Sequence, residues 1–134
     1  MDVWRPIPGW KSSLPAVSGD GLDAMVAAHP AVAVHFWAEW NGVDPPMDRC
    51  IRAVEEQFAG RVWFMACDID QQENVALCKR FGVVTVPTLG VVTSARPPRL
   101  LVGYRKPEEL ARAIEELLKP EPPAWWQFWR RKQK

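Results

Sequence analysis

The chain has 134 residues, 48% hydrophobic and 25% charged, which suits one compact domain and leaves no room for two full cores. Its apolar runs, Ala31–Val34, Phe36–Ala38 and Leu89–Val92, fall far short of the about 20 residues that span a bilayer, which excludes an integral helical membrane protein. Residues 1–120 carry 13 Lys+Arg against 15 Asp+Glu, and that near-neutral body excludes a broad nucleic-acid face.

The first fifteen residues hold Pro6, Pro8, Gly9 and Pro15 around Trp4 and Trp10, a spacing that forbids a helix and predicts an extended arm. Ser18-Gly19-Asp20-Gly21 offers N-cap chemistry for a short helix from Leu22 to about Ala28, stopped before Pro30. Ala31–Trp37 is nearly continuous in apolar residues and reads as a central strand covered on both faces. Asp44 is the expected N-cap of the next helix, with Pro45 at its first position and Cys50, Ile51, Val54 and Phe58 on one face. Val62–Ile69 reads as a second buried strand. Gln72–Phe81 reads as a helix with Val75, Leu77 and Cys78 inward and Gly82 as its stop. Val83–Val92 is β-rich around Pro87, Arg96-Pro97-Pro98 marks a turn, and Arg99–Val102 closes a hairpin. Pro107 opens a last helix striped by Leu110, Ile114, Leu117 and Leu118. Pro120–Pro123 makes a stiff spacer before the tail.

The chemistry-bearing residues are few. Cys50, Cys67 and Cys78 fall in periodic segments and read as core packing; their gaps match no common zinc spacing. The first six residues lack a basic, then apolar, secretion signal, so reduced thiols in a cytoplasmic protein are expected. His35 reads as a hydrogen-bonded core histidine, His29 as a solvated loop residue, and Asp68 with Asp70 as strand-end turn residues. No metal-ligand cluster or cofactor motif is present, so neither a metal nor a cofactor is expected.

Phe36-Trp37-Ala38-Glu39-Trp40, Cys67-Asp68-Ile69-Asp70, Phe81-Gly82-Val83, Val86-Pro87-Thr88 and Leu101-Val102-Gly103 occur in an order and spacing that resembles the thioredoxin family. The resemblance covers about residues 16–119 and implies a three-layer α/β/α sandwich around a central mixed β-sheet. It implies a cis bond at Val86–Pro87 and a peptide-binding groove lined by Trp40, Val86, Pro87 and Gly103. The family's Trp-Cys-Gly-Pro-Cys is here Trp40-Asn41-Gly42-Val43-Asp44. Disulfide exchange needs an attacking thiolate, which Asn41 and Asp44 do not supply. His35 stands where the family has a buried Asp, and Ala66 where a Lys often neighbours it.

Residues 121–134 place Trp125, Trp126, Phe128 and Trp129 beside Arg130, Arg131, Lys132 and Lys134. Aromatics in that number need cover, so the tail is expected to dock on a protein partner or on its own domain, with a membrane surface as a further option. The resulting expectation is a redox-inactive thioredoxin-like binding or assembly module, a small subunit of a larger complex, using tail and groove. The alternatives are a monothiol redox protein using Cys50, Cys67 or Cys78, and a membrane-surface adaptor.

Overall fold

The computed structural model describes residues 4–17, 21–120 and 125. Four strands form one mixed sheet in the order β2-β1-β3-β4, with helices on both faces. The elements run α1 (Gly21–Ala28), β1 (Ala31–Trp37), α2 (Asp44–Val54), β2 (Val62–Asp68), α3 (Val75–Phe81), β3 (Thr88–Thr93), β4 (Arg96–Val102) and α4 (Pro107–Leu118). β1 pairs parallel with β2, Ala31 opposite Val62, and antiparallel with β3, Val34 opposite Gly90. All seven β1 residues are buried, as their unbroken apolar run predicts.

Alternation along the strands divides the core in two. Ala31, Ala33 and Trp37 of β1 face α2 and α4, packing with Met47, Ile51, Val54, Leu110 and Ile114. Val32, Val34 and Phe36 face the other way, toward Leu22 of α1 and Leu77 and Phe81 of α3. Full burial of a Leu or Ile side chain such as Leu110 or Ile114 is worth ~1.5–3 kcal/mol, which fixes α4 on the sheet.

Several local expectations are corrected. The arm is not uniformly extended: Pro8 and Gly9 (φ 77°) make a turn closed by Trp10 N–H donating to the Ile7 carbonyl. Its end pairs with the outer edge of β2, where Val17 N–H donates to the Ala66 carbonyl and Ala66 N–H to that of Pro15. The hairpin turn lies at 94–95, and Pro97 and Pro98 belong to β4, an edge strand whose free side tolerates a missing N–H. Val83–Pro87 lies outside the sheet, and β3 begins only at Thr88. Gln72–Asn74 is a 3₁₀ turn ahead of α3, and Val75 is 40% exposed instead of inward. Gly82 ends α3 in the left-handed conformation, its N–H bonded to the Cys78 and Lys79 carbonyls. The proposed cap at 18–20 lies outside the described residues.

Candidate functional site

Asp44 is not a helix cap. Val43 holds the cap position without a side-chain bond, and Asp44 is the first residue of α2, fully buried and turned inward. Its Oδ2 accepts the Ala38 N–H at 2.9 Å, and its Oδ1 lies 3.2 Å from His35 Nε2. One helical turn on, Asp48 Oδ1 lies 3.3 Å from His35 Nδ1. Asp48 also accepts bonds from Ser12 Oγ, from Ser13 N–H at 3.1 Å and from Ser13 Oγ at 2.8 Å.

Both nitrogens of the His35 ring therefore face carboxylate oxygens, which accept and do not donate, so the ring is satisfied as an imidazolium. Burial opposes that charge, yet the bonds to Asp44 and Asp48 outweigh it and raise the His35 pKa above its ordinary value. Asp48 is likewise opposed by burial, but the His35, Ser12 and Ser13 bonds hold it down at about 2. The core reading of His35 stands. Sequence reasoning misses Asp48, Ser12 and Ser13; the available signal is an Asp four residues after Asp44, on the same helix face.

The predicted residues sit on the loop before α2 (Trp40 to Val43), just ahead of β3 (Val86 and Pro87) and just after β4 (Gly103). Trp40 is 60% exposed, Gly42 is buried, and Asn41 Oδ1 accepts the Val43 N–H at 3.3 Å. A Cβ at Gly42 would stand 2.6 Å from the Arg5 carbonyl carbon, so the arm lies directly on this loop. Val86 is half-buried, Pro87 is buried, and the Val86–Pro87 bond is cis. Gly103 N–H donates to the Pro87 carbonyl at 2.9 Å. Beside it, Tyr104 meets the Trp4 ring at 4.6 Å and accepts from the Cys50 thiol at 3.5 Å.

The three cysteines are free and differently placed. Cys50 is 8% exposed and Cys67 fully buried. Cys78 is half-buried on α3 and lines an apolar cavity of about 260 Å³ with Ile69, Val75, Lys79, Val83 and Val84. Burial pushes both the Cys67 and Cys78 thiols up, Cys67 far beyond the usual range, while a hydrogen bond from Cys67 partly offsets the rise at Cys78. Asp68 acts as a turn residue, its Oδ1 accepting the Asp70 N–H at 3.0 Å. His29 is not a freely solvated side chain, because its ring stacks on Trp63 at 4.9 Å. Trp125 is 67% exposed; Trp126, Phe128, Trp129, Arg130 and Arg131, named as a partner-binding tail, lie outside the described residues. No group of three metal-ligating side chains occurs among the described residues, and no described helix is long and apolar enough to cross a membrane.

The family model described as thioredoxin matches residues 14–116. The thioredoxin of Alicyclobacillus acidocaldarius is 31% identical over 87 residues, 65% of this chain and 81% of that protein. The thioredoxin of Streptomyces clavuligerus is 30% identical over 97 residues, 72% of this chain and 88% of its own. Among solved structures, a mutant thioredoxin from Halobacterium salinarum superposes with a TM-score of 0.67 at 26% identity, covering 84% of this chain and 98% of that one. Mitochondrial thioredoxin 3 from Saccharomyces cerevisiae, at 20% identity and TM-score 0.68, covers 78% of this chain and 96% of its own, and shares the fold. The relatives are named for redox-active proteins, and this overturns the expectation of a redox-inactive binding or assembly module.

Proposed function

The chain belongs to the thioredoxin family, and from that premise we propose that it is a monothiol redox protein whose working thiol is Cys78. The loop Asn41–Asp44 holds no sulfur, so exchange chemistry in this chain falls to the three remaining cysteines. Cys67 is fully buried, and the Cys50 thiol is engaged by Tyr104 in a nearly closed site. Cys78 alone among them is half-buried and opens on a cavity; that observation carries the proposal.

The Cys78 thiolate attacks one sulfur of a disulfide on an oxidised protein partner. A bond forms between Cys78 and that sulfur, the S–S bond breaks, and the other sulfur leaves as thiolate. A second, external thiol attacks the mixed disulfide on the partner's sulfur and regenerates Cys78. Cys67 stays protonated, and its hydrogen bond to the Cys78 sulfur offsets part of the burial that disfavours the thiolate. The apolar lining suits an aliphatic residue beside the partner's oxidised cysteine, and the reduced state fits a cytoplasmic setting.

The test is mixed-disulfide formation with a small aromatic disulfide reagent, followed by intact mass. The native chain should take up one equivalent at Cys78, and Cys78→Ser should lose it. Equal uptake by the Cys78→Ser variant overturns the proposal.

A further inference from the structure

Two of the three cysteines meet on the α3 side of the sheet. Cys67, next to last in β2, is buried in the cluster of Val34, Met65 and Leu77, and Cys78 of α3 packs against that cluster. Their thiols are within hydrogen-bonding reach of each other. The pair is uneven. Cys67 is fully buried, whereas Cys78 is half-buried and lines the cavity with Ile69, Val83 and Val84. A disulfide arriving from solvent therefore meets the outer sulfur and not the inner one.

Ten residues of chain separate the two cysteines, and that segment is tied down. Asn74 Nδ2 donates to the Asp68 carbonyl at 2.9 Å, and Ile69 N–H donates to the Trp37 carbonyl at 3.0 Å. These bonds keep the start of α3 beside the end of β2. α3 itself is only seven residues long, with Leu77 and Phe81 as its buried residues, so it is lightly anchored. A helix held that way can take up the small movement that turns a thiol contact into a bond of about 2.0 Å.

We propose that Cys67 and Cys78 are a dithiol pair that closes to an internal disulfide, with Cys78 as the attacking sulfur and Cys67 as the resolving one. The inference rests on the reading of Cys78 as the working thiol and adds a release step inside the chain. Once Cys78 is joined to a partner's sulfur, the Cys67 sulfur attacks that of Cys78. The Cys67–Cys78 bond forms, the bond from Cys78 to the partner breaks, and the departing thiolate takes the Cys67 proton. The partner's disulfide has then gained two electrons and the chain's dithiol has lost them. This step competes with release by an external thiol, which attacks the partner's sulfur instead. Burial makes the Cys67 thiolate scarce, so the step is slow. Two things offset that scarcity. The Cys78 charge that helps hold the Cys67 proton on is gone in the mixed disulfide, and attack by a neighbour on the same chain is unimolecular.

The test mixes the full native chain with one equivalent of the small aromatic disulfide reagent, without added thiol, and follows absorbance and intact mass over time. One aromatic group should go on first and then leave. Two equivalents of aromatic thiol should be released per chain, and the mass should settle two hydrogens below its starting value. Alkylation under denaturant followed by peptide mapping should find Cys67 joined to Cys78, with only Cys50 alkylated. Cys67→Ala should stop at the adduct, with one equivalent released. A native adduct that persists unresolved overturns the inference and leaves the Cys78 reading standing. An internal disulfide through Cys50 overturns it as well. No uptake by the native chain brings down both readings together. If Cys67→Ala does not fold, the peptide map of the native chain decides alone.

Discussion

On the α2 side of the sheet, His35 is buried between Asp44 and Asp48, each within 3.3 Å of one ring nitrogen. On the α3 side, Cys67 is just as buried, among Val34, Met65 and Leu77, with only the Cys78 thiol to bond. Water is excluded equally, yet the outcomes are opposite. Carboxylates facing both nitrogens keep the imidazole protonated, while the unopposed apolar surroundings keep the Cys67 thiol neutral. Burial sets the cost of a charge, and the neighbours decide whether the charge survives it. The polar face is thereby fastened to the arm, and the apolar face holds the Cys67 and Cys78 thiols.

The largest expected effect comes from breaking the polar face. Asp48→Ala removes the bonds to His35, Ser12 and Ser13 and leaves Asp44 to balance the imidazolium alone. Breaking one partner out of a buried charged cluster costs ~3–5 kcal/mol, read as a drop in the urea midpoint, and a loss below ~1 kcal/mol would mean the cluster behaves like a surface pair.

The same cluster predicts a stability profile with two flanks. The His35 pKa is raised on folding, so its contribution is fully present below about 6.5 and is lost as pH rises through the folded value. Asp48 is lowered from 3.8 to about 2, so its contribution is present above 3.8 and is lost as pH falls toward 2. Denaturant midpoints measured across pH 2–10 should form a plateau between these flanks. A profile that rises on the alkaline side would break the comparison.

On the apolar face the effects are smaller. Gly90→Ala places a Cβ 2.5 Å from the Phe81 ring and 3.2 Å from Phe36, so overpacking there should cost ~1–3 kcal/mol. Cys67→Ala leaves a small gap worth ~1 kcal/mol, and its sharper readout is chemical. With the hydrogen bond to Cys78 gone, alkylation of Cys78 should need a higher pH than in the native chain.

Strand and helix positions are legible because they follow from local periodicity: the unbroken run Ala31–Trp37 and the stripe Leu110–Ile114–Leu118 each admit one reading. Asp44 misleads for a local reason, since Asp-Pro-Pro fits a helix start as well as it fits a buried carboxylate. What decides it is His35, nine residues back on another element, together with the Ala38 N–H. Pro97 and Pro98 resemble a turn because their place on the sheet edge is a property of strand order, not of the segment. The Gly42 notch depends on Trp4 and Arg5 lying across the loop, a contact between distant segments that no spacing rule contains. Family motifs locate the loop, while an assignment of function from its missing sulfurs goes too far.

The most direct test of the account is residue-resolved alkylation of the native chain between pH 6 and 10, with each cysteine followed by mass spectrometry. Cys78 should label first, and its rate should keep climbing above pH 8, because burial raises its pKa while the cavity admits the reagent. Cys50 and Cys67 should label only as the chain unfolds. Labelling of Cys50 ahead of Cys78, or equal protection of all three until unfolding, would contradict the account.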